Sequence, residues 1–205
     1  MAKILFLVTE DWYFLSHRLS LALATQAAGA QVFVMTRIMQ AGERLAGLPL
    51  EIIPWQHIRR GSVNPAREAL ALQEVWSAYR RIRPDLVHHV AVKPAVYGGL
   101  AARLAGVPAM VTTFAGMGAV FTGDSPKIRL VRNIVSPLMR AALNSRNSRT
   151  IVQNNQIRER LGKLGIVPPE QTVLIRGSGV NPEDFSSLPE PVGTPVVMQI
   201  GRAHV

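Results

Sequence analysis

The chain has 205 residues, 48% hydrophobic and 18% charged, with a net charge of +10 and no cysteine. That balance buries a core of one domain or slightly more and excludes a disordered chain, and the missing cysteine fits a reducing compartment. Only Lys3, Lys93, Lys127 and Lys163 are lysine among the 23 basic residues, so arginine makes the excess, which suits phosphate, nucleic acid or an anionic membrane surface. No apolar run approaches the roughly 20 residues of a spanning helix, so any membrane contact is expected to be peripheral.

Short β-rich runs alternate with helical patterns along the chain. The predicted strands are Lys3–Val8, Gln31–Thr36, Leu50–Trp55, Asp85–Val90, Ala109–Phe114, Arg149–Asn154 and Gln171–Arg176. Helices are predicted between them, over Ser16–Gly29, Asn64–Ile82, Pro94–Gly106, Pro126–Leu143 and Gln156–Gly165, several opening at Ser, Asn or Pro and closing at Gly. Apolar strands without alternation, joined by helices, predict a doubly wound parallel α/β sheet of about seven strands, Rossmann-like. From Gly177 the sequence turns rich in Gly, Pro, Ser and acid. This predicts a domain over 1–180 with hinge glycines Gly177 and Gly179, a linker over 181–194, and over 195–205 the truncated first strand of a second domain.

Ligands of doubly wound sheets collect at the carboxyl ends of the strands. Thr9 to Arg18 contains no glycine, which excludes the usual dinucleotide fingerprint after the first strand. Gly116-Met117-Gly118 follows the fifth strand, where glycine allows close backbone approach to a ligand or simply a tight turn. His17 and Arg18 are read near the N-terminus of the first helix, capped by Ser16, where anions are favoured. Lys93 lies ahead of a helix opened by Pro94, against the helix dipole, which suggests that an anion joins it. Glu10 and Asp11 are adjacent carboxylates in the loop after the first strand, with Asp11 a contact for an acceptor hydroxyl. His88 and His89 point to opposite faces of the fourth strand, so paired metal ligation is not expected, and no other spacing supports a metal. On the helix over 126–143, Arg129, Arg132, Ser136 and Arg140 share one face and Ile128, Val131, Val135, Leu138 and Ala142 the other. Such a helix either rests its arginines on anionic lipid or packs its apolar face on the sheet, with Pro137 expected to kink it.

The stretches FLVTEDWYFLSHRLSLALA, RPDLVHHVAVKPAVYGGLAARLAGVPAMVTTFAGMGAVFT, NSRTIVQNN and VLIRGSGVNPEDF, in this order at strand ends, resemble the N-terminal domain of a bacterial family 4 glycosyltransferase of GT-B fold. Within that family the chain is similar to the transferases that extend an undecaprenyl-diphosphate-linked sugar with an N-acetylhexosamine. The resemblance implies a retaining hexosyltransferase of cell-surface polysaccharide assembly. Its N-domain receives a lipid-linked saccharide acceptor, while a nucleotide-sugar donor binds mainly to a second domain. It implies acceptor-binding roles for Asp11, His17, Arg18, Lys93, Gly116, Met117 and Gly118, and a membrane-surface role for Arg129, Arg132 and Arg140. No cofactor, metal or nucleic acid is expected, and the location is cytoplasmic, peripheral at the inner face of the plasma membrane. Phe114, Ala115 and Gly116 stand where many family members carry a histidine, so no catalytic histidine is transferred and the catalytic residues stay unassigned. The alternative is a basic α/β domain that binds nucleic acid, or a nucleotide by itself. The chain alone is expected to be inactive. Ile200–Val205 corresponds to ATCGGAAGAGCACACGTC, which resembles a sequencing adapter, so these residues are read as foreign, against the alternative of a native strand and loop.

Overall fold

The structure is a computed structural model, and it describes residues 1–39, 41–118, 121, 123, 125–180, 182–184, 189 and 193. The elements run β1 (Lys3–Glu10), α1 (Asp11–His17), α2 (Leu19–Ala27), β2 (Gln31–Arg37), α3 (Gly42–Ala46), β3 (Glu51–Pro54), α4 (Pro65–Ile82), β4 (Leu86–Val90), α5 (Val92–Ala105), β5 (Ala109–Phe114), α6 (Pro126–Leu143), β6 (Ser148–Val152), α7 (Asn155–Lys163) and β7 (Thr172–Leu174). All seven strands are parallel, in the order β3-β2-β1-β4-β5-β6-β7. The expected doubly wound α/β sheet is therefore present. The strand expected over 195–200 and the segment read as foreign over 200–205 lie outside the described residues, as does most of the linker.

Local chemistry sets the helix ends. Asn64 accepts from the amides of Ala66 and Arg67 at 3.1 and 3.2 Å ahead of Pro65, and Asn154 accepts from Ile157 N at 2.9 Å. Such caps are each worth about 1 kcal/mol. Helix α5 stops at Gly106, whose φ of 70° only glycine adopts without cost.

Register sorts the core. Leu5, Leu7, Phe33, Met35 and Val87 pack under Val75, Ala78 and Tyr79 of α4 and Ala101 of α5. On the opposite face Phe6, Val8, Val32, Val34 and Val90 meet Phe14 of α1 and Ala22 of α2. A third group joins Phe114, Phe121 and Val152 to Met139, Ala142 and Leu143 of α6.

Helix α5 is seated unusually deep. A Cβ on Gly98 would lie 2.4 Å from the His89 ring and 2.8 Å from Leu7, and one on Gly99 would lie 2.7 Å from Ala142 Cβ. These two glycines let α5 touch β4 on one side and α6 on the other. His89 beneath them is fully buried, its Nε2 3.1 Å from Tyr79 Oη and its Nδ1 3.4 Å from Thr112 Oγ1. His88 faces the other way, with Nε2 2.8 Å from Thr113 Oγ1 and its ring 5.2 Å from Phe6. The opposite orientation of the two histidines follows from strand alternation, as expected.

Three sequence readings are corrected. No loop follows β1: the strand passes directly into α1, so Asp11 opens a helix and Ser16 lies inside it, its hydroxyl donating to Trp12 O at 2.8 Å rather than capping a helix start. Val92 and Lys93 already belong to α5, placing Pro94 within its first turn. Helix α6 runs unbroken through Pro137, with Met139, Ala142 and Leu143 buried while Leu138 is exposed. The short α3 was not anticipated.

Two outcomes are expected. Gly98→Ala should destabilise the chain by about 3 kcal/mol through overpacking against a fully buried histidine, measured by urea unfolding; a change within error would mean α5 can lift. Burial first, and then the neighbouring Arg18 for His88 and His88 for His89, lower both histidine pKa values to about 3. The unfolded chain, near 6.5, then binds more protons than the folded one between pH 6.5 and 3, so stability is complete above 6.5 and falls on acidification. Unfolding free energy should drop by about 1.4 kcal/mol per pH unit for each histidine across that window, and replacement of His89 by Gln should flatten the slope.

Candidate functional site

The carboxyl ends of β1, β4 and β5 come together where the strand order reverses between β1 and β4. This switch point is where open α/β sheets leave a crevice.

From β1 the rim receives Glu10, Asp11 and the exposed face of α1. The Asp11 carboxylate is buried, accepting from Trp12 N at 2.7 Å through Oδ1 and from Met39 N and Ala41 N at 2.6 and 3.1 Å through Oδ2. It thereby ties the segment after β2 to the start of α1, a use of the carboxylate not foreseen from sequence. Glu10 accepts from Trp12 Nε1 at 3.0 Å and stands 3.9 Å from Arg60 Nη1.

His17 is exposed at the C-terminal end of α1, not at a helix N-terminus. Its ring stacks on Tyr13 with centroids 4.3 Å apart, and Nδ1 lies 2.6 Å from Ser16 Oγ. Ser16 has one hydroxyl proton, already donated to Trp12 O, so its oxygen accepts from His17 Nδ1–H, and Nε2 is the ring nitrogen not engaged by Ser16. Arg18 separates α1 from α2 and is buried.

Lys93 finds its anion inside the chain. Its Nζ donates to both Glu68 oxygens at 2.9 Å, to Arg59 O at 2.8 Å and to Ser62 O at 2.7 Å, while Tyr97 Oη also donates to Glu68. Burial, followed by the bond and charge of Glu68, raises the Tyr97 pKa. The cluster clamps the connection from β3 to α4 beside the rim; its members are far apart in sequence, which is why only Lys93 drew notice.

Ala91, at the end of β4, was missed altogether. It holds φ 82° and ψ 174°, a region nearly reserved for glycine, while its amide donates to Thr113 O at 3.1 Å and its carbonyl accepts from Ala95 N at 3.0 Å. That kink turns β4 abruptly into α5 and leaves the start of α5 without a side-chain cap.

After β5, Gly116 has an ordinary φ and open space around a Cβ, Gly118 has φ 66°, and both are exposed. Met117 between them is buried against Phe114 and Phe121. It plugs the core and fixes the two glycines at the surface. Residues 119, 120, 122 and 124 of this loop lie outside the described residues. Gly177 and Gly179, in the irregular stretch after β7, hold φ 76° and 74°, a backbone region that favours glycine.

On α6 the arginines do not act as one free face. Arg140 donates to Gly165 O at 2.7 Å and Leu164 O at 2.8 Å, closing the C-terminal end of α7, and Arg132 donates to Gly123 O. Leu130, Ile134 and Leu138, one turn apart, are 63%, 58% and 40% exposed. Among the described residues no group of three or more His, Asp or Glu could hold a metal ion, and no helix is long and apolar enough to cross a membrane.

The fold matches solved structures along most of its length. Sucrose-phosphate synthase from Thermosynechococcus elongatus is similar at 15% identity and a TM-score of 0.65, over 92% of this chain and 51% of that one. HepE of Anabaena, in complex with UDP and glucose, gives 17% and 0.64 over 92% and 47%. UDP-N-acetylglucosamine 2-epimerase from Rickettsia bellii gives 14% and 0.60 over 87% and 45%. The chain thus spans about half the length of these structures. Comparison with curated protein sequences yields no match. The sheet order and these likenesses define a Rossmann-like domain of the type that forms the N-terminal half of GT-B glycosyltransferases. More narrowly, residues 3–155 match the glycosyl transferase 4-like family, and the chain belongs to it.

Replacing Ala91 by Gly should stabilise the chain by about 1 kcal/mol in urea unfolding by relieving the left-sided φ, net of the added chain entropy. A loss of stability would show that the conformation costs nothing.

Proposed function

We propose that this chain is the acceptor-side half of a two-domain, retaining hexosyltransferase that moves a sugar from a nucleotide-sugar onto a lipid-diphosphate-linked saccharide. Membership of the glycosyl transferase 4-like family carries this reading. The likeness to HepE, with its UDP and glucose, favours a nucleotide-sugar donor over other activated sugars. A second domain past Gly177 and Gly179 would hold most of that donor, with the linker over 181–194 between the halves. No cofactor is needed, since the donor itself carries the activated bond.

In this reading the acceptor lies along the rim. Gly116 and Gly118 lie exposed where glycine lets a ligand approach the backbone closely, His17 offers Nε2 to a sugar hydroxyl, and Arg18 supplies positive charge. Asp11, Lys93 and Met117 act as positioning residues: their polar or apolar ends are already engaged by the chain. The exposed Leu130, Ile134 and Leu138, with the exposed Arg129 beside them, form an apolar strip with a cationic border. Such a strip suits the anionic inner face of the plasma membrane, where a lipid-linked acceptor resides.

The test is sugar transfer by the protein extended through its second domain, using radiolabelled nucleotide-sugars and undecaprenyl-diphosphate-linked acceptors. Transfer is expected with the extended protein and not with residues 1–205 alone, because half a cleft holds only one reactant in register. Gly116→Val should raise KM for acceptor at least tenfold with Tm unchanged, since no neighbour meets a side chain there. A fall in Tm with KM unaltered would reduce this loop to a turn.

A further inference from the structure

Most charges of the rim are answered within the chain: Asp11 by three amides and Lys93 by Glu68. Arg18 is the exception. The residue is 7% exposed, and its Nε and Nη2 are both buried with no hydrogen-bond partner. Among the described residues no carboxylate forms an ion pair with it. Its backbone, at φ −130° and ψ −12°, is open to any L-residue, so local geometry does not call for arginine.

The identity of the two orphaned atoms matters. Nε and Nη2 form one side of the planar guanidinium, the side whose two N–H bonds run parallel and match a pair of oxygens on one phosphate or carboxylate. The ring of Tyr13 and the buried, neutral His88 are the titratable groups that sense Arg18. Neither side chain is a carboxylate. Desolvation lowers the pKa of Arg18, with Tyr13 opposing, yet a guanidinium stays protonated. A buried cation with a complete, unused bidentate edge is costly, and a hydrocarbon side chain would fill the space without that cost.

We propose that the Nε/Nη2 edge of Arg18 is an oxyanion seat at the switch point, taking one phosphate of a diphosphate ester. The choice of a diphosphate rests on the glycosyl-transfer reading above; the need for an anion rests on the orphaned edge itself. Two parallel charge-assisted hydrogen bonds would fix one phosphate away from bulk water and so orient whatever it carries toward the rim. Exposed arginines hold phosphate weakly and in many poses, whereas this edge admits one.

Thermal unfolding of the 205-residue chain tests it, with inorganic pyrophosphate at about ten times its apparent Kd and sodium chloride matched for ionic strength. Pyrophosphate is expected to raise Tm by about 3–5 °C. Arg18→Met should raise the ligand-free Tm and abolish the pyrophosphate shift; Arg18→Lys, which keeps the charge but lacks the paired edge, should lose most of it. No shift in the wild type, or the same shift in both variants, overturns the proposal. Should the Met variant fail to fold, the Lys variant decides alone. UDP and a short polyprenyl diphosphate, run in parallel, separate donor from acceptor as the source of the phosphate. Sugar transfer without any pyrophosphate shift would remove the seat and leave the function standing; a shift without transfer would do the reverse.

Discussion

Seven parallel strands can be joined only through crossovers, and crossovers of one hand place each helix on a face fixed by the direction in which the chain moves across the sheet. From β1 the chain steps outward through β2 to β3, putting α1, α2 and α3 on one face. It then returns to the far side of β1 and proceeds through β4 to β7, putting α4, α5, α6 and α7 on the other. The reversal leaves the ends of β1 and β4 adjacent, with their following helices diverging to opposite faces. Every candidate ligand contact of this chain depends on that separation.

Close packing makes the crevice rigid. Helix α5 can leave β4 without a loop because Ala91 takes an unfavourable dihedral, and it can lie flat because Gly98 and Gly99 remove two side chains from its contact faces. Strain at one residue and missing volume at two others thus solve one geometric problem. Asp11 and the Lys93–Glu68 pair then lock the neighbouring segments with hydrogen bonds that solvent reaches poorly. Buried polar groups of this kind are costly if half satisfied and stiffening when complete. Against that background the empty edge of Arg18 stands apart, since the same rim satisfies its other buried charges.

The two faces of α6 illustrate how a helix serves fold and surface at once. Its buried residues close the core between α5 and β6, Arg132 and Arg140 bond neighbouring backbone, and Leu130, Ile134 and Leu138 stand exposed. Positive charge near such an apolar strip is the arrangement that interfaces with anionic lipid use.

The parallel sheet was legible in the sequence because apolar runs such as QVFVMT and AMVTTF, separated by helix-length spacers with Asn, Ser or Pro at their starts, allow few other solutions. The opposite orientation of His88 and His89 was equally legible, since strand alternation alone dictates it. The glycines after β5 could be noticed but not interpreted: whether a glycine serves a turn, a close contact or a ligand depends on neighbours that arrive from elsewhere in the chain. Lys93 called for an anion, and only tertiary structure decided that Glu68, 25 residues earlier, supplies it. Asp11 read as a free carboxylate because its partners, the amides of Met39 and Ala41, carry no sequence signature. Local patterns determine periodicity, caps and strand direction through short-range sterics; which charge is spent inside the fold and which is left for a ligand is set by long-range contacts, and these exist only once the sheet has closed.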